Sequence, residues 1–396
     1  METTDAFAGL ACRDCGERFE PGGATRGCPD CSGTLEAAYD DGEIDLSRAA
    51  IESAAGGSIW AFDPLLPFPR SRGVTIAEGG TPLVDCPDLA EELGVGEVVL
   101  KDEGRNPTGS IADRGISVAV TAAREAGADT VALPSTGNAG QSAAAYAARA
   151  GLDAQVFLPS RANFAGKAMV NVHGGEMSVV EGRFGDAAAA FRDAVAGADW
   201  YPVAAAETPY PVEGAKTAAY ELFAGLDWRV PEAVVVPTGQ GIDLVGIREG
   251  ARDLERLGLI EAVPPLYAAQ ASGCAPIVAA VEAGEDEHEP VEYPDTICGA
   301  LEVPDPAAGA LVLDAIRESG GGAVASDDDE ILEAATAMAA RAGVEPDVAC
   351  GAAASGARAL TERGDLDPDA TVVLVNTATG NKEADVLRSH LMSKGI

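Results

Sequence analysis

The sequence predicts an α/β fold with a parallel sheet, preceded by a small metal-binding ribbon. Three observations carry this. Short β-rich runs alternate with Ala-rich segments of helical period, Gly-rich turns follow several of those runs, and two C-x2-C pairs stand close to the N-terminus. A strand–helix–strand rhythm buries both faces of a parallel sheet under helices. At 396 residues, 47% hydrophobic and 23% charged, the chain can bury a sizeable core, which excludes disordered and fibrous classes.

The ribbon comes first. Cys12, Cys15, Cys28 and Cys31 form C-x2-C, a gap of 12 residues, then C-x2-C. That spacing brings four thiolates to one tetrahedral centre, the signature of a zinc ribbon. Gly16, Gly22, Gly23 and Gly27 supply turn conformations, and Pro29 bends the second pair. A four-thiolate Zn2+ is coordinatively closed, so its role is structural. Cys86, Cys274, Cys298 and Cys350 are isolated and read as ordinary thiols.

An acidic connector near residues 39 to 50 leads to DPLLPFPRSRG at 63 to 73. Its prolines forbid a long helix and predict an extended crossing to the main body. Strands are expected at VVL (98), TVAL (130), AQVFL (154), AVVV (233) and TVVLV (371), and helices at SAAAYAARAG and DAAAAFRDAVAG.

Ligands of such sheets sit beyond the carboxyl ends of strands, where turns open into helix N-termini. Three turns qualify. Pro134-Ser135-Thr136-Gly137-Asn138-Ala139-Gly140 offers the Asn138 amide to a ring oxygen. Pro237-Thr238-Gly239-Gln240-Gly241-Ile242-Asp243 gathers N–H groups suited to a phosphate. Asn376-Thr377-Ala378-Thr379-Gly380-Asn381 carries hydroxyls able to reach a ring nitrogen.

A fourth segment, Lys101-Asp102-Glu103-Gly104-Arg105-Asn106-Pro107-Thr108-Gly109-Ser110 followed by Ile111-Ala112-Asp113-Arg114-Gly115, joins EGGTPL at 78 to 83, Glu213-Gly214-Ala215-Lys216-Thr217 and Gly343-Val344-Glu345-Pro346. With the three turns, these motifs resemble, in order and over nearly the whole chain, the threonine synthase branch of the fold-type II pyridoxal phosphate enzymes. The resemblance implies a two-domain, tryptophan synthase β-like fold: zinc ribbon at 8–40, large cofactor domain from 41–105 and 206–396, small mobile domain at 106–205. It implies pyridoxal 5'-phosphate in the cleft, with Asn138 on the ring hydroxyl, Gly239, Gln240, Gly241, Ile242 and Asp243 on the phosphate, and Thr379 on the ring nitrogen. Ser110, Thr136 and Asn106 would frame the substrate. The implied reaction converts O-phosphohomoserine and water to threonine and phosphate, or acts on a related phospho- or hydroxy-amino acid. The expected partner is this small molecule, with a homodimer as the assembly.

The sequence departs from that family's motif at two neighbouring positions, one of them serious. The family's motif reads Asn-Pro-Thr-Gly-Ser-Phe-Lys-Asp-Arg, and its Lys bonds the cofactor; here Ile111 and Ala112 replace Phe and Lys. Three readings stand open: an engineered lysine-to-alanine trap, a homologue that binds or regulates without lysine chemistry, or another lysine in its place, with Lys101, Lys167 and Lys216 as candidates.

Charge and histidines bound the rest. There are 27 basic and 64 acidic residues, a net charge of −37 spread along the chain. Such self-repulsion is tolerated where salt screens it, which suggests a halophile, and it repels nucleic acid. METTDAFAGLAC lacks the features of a signal peptide, and no apolar run is long enough for a membrane span, so a cytoplasmic protein is expected. His173 and His288 read as loop histidines and His390 lies in the last helix; a hydrolase triad finds no nucleophile motif.

Overall fold

Three sheets organise the chain, described by a computed structural model for residues 1–22 and 27–395; Gly23 lies outside the described residues. The first is small and antiparallel, with β1 (Phe7–Cys12) between β2 (Arg18–Phe19) and β3 (Leu35–Tyr39). The next strands are β4 (Leu83–Asp85), β5 (Glu97–Asp102), β6 (Thr130–Pro134), β7 (Asp153–Pro159), β8 (Glu176–Val180) and β9 (Tyr201–Pro202). β10 (Ala233–Pro237), β11 (Leu266–Ala271), β12 (Gly322–Ser326) and β13 (Thr371–Asn376) complete the set.

A six-stranded sheet runs β12-β11-β10-β13-β5-β4, parallel except for the antiparallel edge strand β4. A four-stranded parallel sheet runs β8-β7-β6-β9. The five strands expected from sequence fall in β5, β6, β7, β10 and β13, and the two expected helices in Asn138–Ala150 and Phe184–Ala196. The central strands are apolar on both faces, as β10 with every residue buried illustrates, because helices cover the sheet on both sides. Among the described residues, no helix is long and apolar enough to cross a membrane.

The Pro-rich connector differs from expectation. It is not an extended crossing: Ile59–Leu65 and Arg70–Arg72 form short 3-10 turns, and Trp60, Phe62, Leu65, Leu66 and Phe68 are buried. Proline stops a long helix but tolerates a single tight turn, and burying these large side chains outweighs the missing N–H groups. Trp60 also donates from Nε1 to Ser117 Oγ at 2.9 Å, tying the connector to the helix Ala112–Glu125.

A buried ion cluster fixes that helix. Arg114 donates to Glu103 Oε2 and to Glu221 Oε2, both at 2.7 Å, and Lys101 Nζ meets Glu221 Oε2 at 2.7 Å. Two cations and two carboxylates balance, so none of these buried charges is left unpaired.

Candidate active site

The carboxyl ends of β6, β10 and β13 converge on a cavity of about 240 Å³. Its wall includes Ser110, Ile111 and Ala112 from the start of the Ala112 helix, Ser135, Thr136 and Asn138 after β6, Gly239 to Asp243 after β10, and Thr377 after β13. Sequence reasoning thus names the three turns that meet there.

Each turn has a local cause. After β6, the Ser135 hydroxyl accepts from the Gly137 and Gly140 N–H groups, both at 2.9 Å, shaping the bend into the Asn138 helix. Asn138 is the first residue of that helix; its Oδ1 accepts from Lys382 Nζ at 2.8 Å, which leaves Nδ2 as the donor. After β10, Gly241 stands at the N-cap of the helix Ile242–Arg256 with φ of 92° and no side-chain cap. A Cβ there would lie 2.4 Å from Val312 Cγ2, so only glycine fits. The first N–H groups of a 15-residue helix therefore remain free for an anion.

Asp243 stands in the first turn of that helix. Burial, with a contribution from Glu103, pushes its carboxyl up to about 7, against the opposing pull of Arg114. Near neutral pH it is therefore poised between a neutral carboxylic acid and an anion.

Two expected site residues lie elsewhere. Asn106 does not line the cavity: its Oδ1 accepts from Gly79 N at 2.9 Å and its Nδ2 donates to Glu103 Oε2 at 2.7 Å, so its amide is spent on holding loops. Thr379 is also off the wall, with its hydroxyl 3.4 Å from Glu345 Oε2, while Thr377, two residues earlier in the same turn, lines the cavity. Strand β13 ends at Asn376 and Thr379 already caps the turn Gly380–Lys382, so the alternation of a strand no longer holds there and the sequence alone does not say which hydroxyl reaches the cavity.

The three candidate replacement lysines are off the wall as well. Lys101 sits in the ion cluster, Lys216 pairs with Glu213 at 2.7 Å and Asp253 at 3.1 Å, and Lys167 donates to the Ser160 carbonyl at 2.8 Å. Lys382, overlooked in the sequence, is the lysine whose amine reaches a cavity residue. The available signal was its place in the turn after β13, one residue beyond Gly380-Asn381.

The N-terminal cysteines gather as expected. The Sγ atoms of Cys12, Cys15, Cys28 and Cys31 lie within 4.8 Å of one another, with Cys12–Cys31 at 3.5 Å and Cys15–Cys28 at 3.7 Å. None of the three histidines lines the cavity: His173 ends the helix Phe164–Val172, His288 Nε2 meets the wall residue Asp305 at Oδ1 at 3.0 Å, and His390 is buried in the last helix.

The family model described as pyridoxal-phosphate dependent enzyme matches residues 74–378, which contain the whole cavity wall. The chain belongs to this pyridoxal-phosphate dependent enzyme family. Among curated relatives, the threonine synthase of Methanosarcina acetivorans is 37% identical over 369 residues, covering 93% of this chain and 90% of that protein. That of Methanocaldococcus jannaschii is 36% identical over 378 residues, covering 94% and 93%. The fold is shared with a fungal L-serine ammonia-lyase from Rhizomucor miehei (TM-score 0.67, 23% identity, 79% of this chain and 98% of that one). It is shared too with maize serine racemase (TM-score 0.66, 16% identity, 80% and 94%). The cavity of this pyridoxal-phosphate family member suits such a group, since it offers an uncapped helix N-terminus to a phosphate and the Asn138 amide to a ring oxygen.

Proposed function

We propose that this chain binds pyridoxal phosphate and acts on a phospho- or hydroxy-amino acid in the manner of threonine synthase, turning O-phosphohomoserine and water into threonine and phosphate. The observation that carries the reading is the uncapped N-terminus of the Ile242 helix opening on a cavity also lined by Asn138. The N–H groups from Gly239 to Asp243, with Gln240, Gly241 and Ile242 between, would hold the phosphate. Asn138 would donate to the ring hydroxyl, and Thr377, rather than Thr379, would meet the ring nitrogen. Ser110 and Thr136 would orient the substrate. Bound pyridoxal phosphate supplies an electron sink for charge developing on substrate carbons. Arg192 is the one cation on the wall among the described residues, against Glu207, Asp243 and Asp305, so a substrate phosphate would find its counter-charge there.

Ala112 supports a second reading, a binding or regulatory homologue, because the family resemblance gives that position to the lysine. Phosphate release from O-phosphohomoserine, measured with added cofactor in high salt, separates the two. Release with threonine formation supports the synthase; no release in the presence of bound cofactor supports the binding protein.

Two structural proposals accompany this. The four cysteines are held to bind one structural Zn2+, since four thiolates at such spacing suit a closed tetrahedral site. The division into a ribbon at 8–40, a large domain from 41–105 and 206–396, and a mobile domain at 106–205 is supported by the grouping of strands into three sheets.

A further inference from the structure

Position 112 has no amine, yet the loop beside it carries one. Two backbone hydrogen bonds stitch the start of the Ala112 helix to the turn after β13: Ile111 N–H to Thr377 O at 2.8 Å, and Thr379 N–H to Gly109 O at 3.0 Å. A bridge between Ser110 and Ala378 lies between them. The turn Gly380–Lys382 follows directly, with the Thr379 hydroxyl accepting from Asn381 N–H. Lys382 then returns along the same loop. A Cβ at Gly109, whose φ is 75°, would lie 2.7 Å from Thr379 Cγ2 and 3.4 Å from Lys382 Cε, so the glycine lets the two segments approach and the lysine stem runs alongside it.

Lys382 does not itself line the cavity, but its amine reaches a residue that does. Lys382 Nζ donates to Asn138 Oδ1 at 2.8 Å, and Asn138 lines the cavity together with Ser110, Ala112 and Thr377. Its situation is unlike that of the other lysines. Lys101, Lys216 and Lys394 are held in ion pairs, and Lys167 donates to the Ser160 carbonyl, which does not line the cavity. No carboxylate lies within ion-pair distance of Lys382 among the described residues; Asp113, Asp347 and Glu383 act on it from farther off. Burial draws its pKa below the ordinary lysine value against the pull of those three acids. An amine desolvated in this way carries more of the neutral, nucleophilic form.

We propose that Lys382 supplies the amine that bonds pyridoxal phosphate, in place of a lysine at position 112. The inference rests on the reading that the cavity takes this cofactor. The neutral Nζ would add through its lone pair to the aldehyde carbon, both amine protons would pass to the former carbonyl oxygen, and that oxygen would leave as water as the carbon–nitrogen double bond forms. Amine and aldehyde become imine and water, with no oxidant or reductant. Exchange with the α-amine of an amino acid returns Lys382 as a free amine. The tether thus enters from the loop after β13 instead of from the helix at residue 112.

The test uses the full chain in high salt. Protein is equilibrated with pyridoxal phosphate, non-covalent and total binding are measured by dialysis, and a second sample is reduced with borohydride, digested and mapped by mass spectrometry. The expected result is a reduced cofactor adduct on Lys382. Lys382→Ala and Lys382→Arg should lose that adduct, with cofactor retained by dialysis at an affinity weakened about tenfold; the arginine variant keeps the charge and guards against a folding defect. Cofactor bound by dialysis without an adduct on Lys382, or with the adduct on another lysine, overturns the inference and leaves the cofactor reading standing. Absence of binding by dialysis overturns both.

Discussion

At Asp243 a carboxyl shares the first helical turn with the N–H groups offered to a phosphate, and the sign of its effect follows from its shifted pKa. Burial and Glu103 raise its pKa to about 7, so below that pH the group is neutral and above it a negative charge would face a phosphate bound at this helix end. Affinity for pyridoxal phosphate should therefore fall as pH rises through about 7. Asp243→Asn should flatten this profile and bind about tenfold tighter at pH 8, a gain of roughly 1.4 kcal/mol; equal slopes for variant and parent in a dialysis titration would refute it. Arg192→Ala should raise KM for O-phosphohomoserine about tenfold while sparing cofactor affinity, as expected for losing one charge-assisted contact worth about 1.5 kcal/mol. Which residues line the cavity was only partly legible in the sequence. Asn138 and the 239–243 turn could be read because glycines and a following helix mark a βα turn. Asn106 could not, since nothing in one sequence tells that Gly79 and Glu103 consume its amide. Nor could the placement of Thr377, and not Thr379, on the cavity wall, which depends on how the chain leaves β13.

The element that holds the site is the Ala112 helix, anchored by a cluster no single segment discloses. Against the desolvation that would raise it, Arg114 and Lys101 hold the Glu103 carboxyl down at about 2. The stabilisation it contributes is complete above the ordinary carboxylate range and is lost only as pH falls towards 2. Arg114→Met leaves an excess carboxylate buried and should lower the unfolding free energy by about 3–5 kcal/mol. Denaturant titration in high salt measures this, and a change below about 1 kcal/mol would contradict it. Strand legibility follows the same physics. β5, β6, β7, β10 and β13 are β-branched or apolar runs of the kind a doubly covered sheet requires, whereas LYAAQA of β11 and GAVAS of β12 are rich in Ala, a residue as suited to helix as to sheet. The connector misled for a related reason: its prolines were visible, but the cavity that receives Trp60 and Phe68 is made by distant segments.

Across the whole molecule, charge and the cysteine ribbon set the conditions for stability. A net charge of −37 repels itself over a Debye length of about 8 Å at 0.15 M salt and about 3 Å at 1 M. Tm should rise by several degrees between those salt concentrations, read by calorimetry, and a flat or falling Tm would remove the halophilic reading. The ribbon is docked to the main body through Tyr39, whose hydroxyl donates to Glu213 Oε2 and whose ring lies 4.3 Å from Lys216 Nζ. Elemental analysis should find a single zinc per chain, reduced well below stoichiometry by Cys12→Ser with Cys31→Ser; retention of full zinc in that variant would contradict the four-thiolate site. If the proposed function holds, the cavity is a pyridoxal phosphate site although position 112 carries alanine. Equilibrium dialysis of the full chain in high salt tests it most directly. The expected result is saturable binding of one cofactor per chain, weakened about tenfold or more by Asn138→Ala; no saturable binding, or binding indifferent to Asn138, would rule the site out.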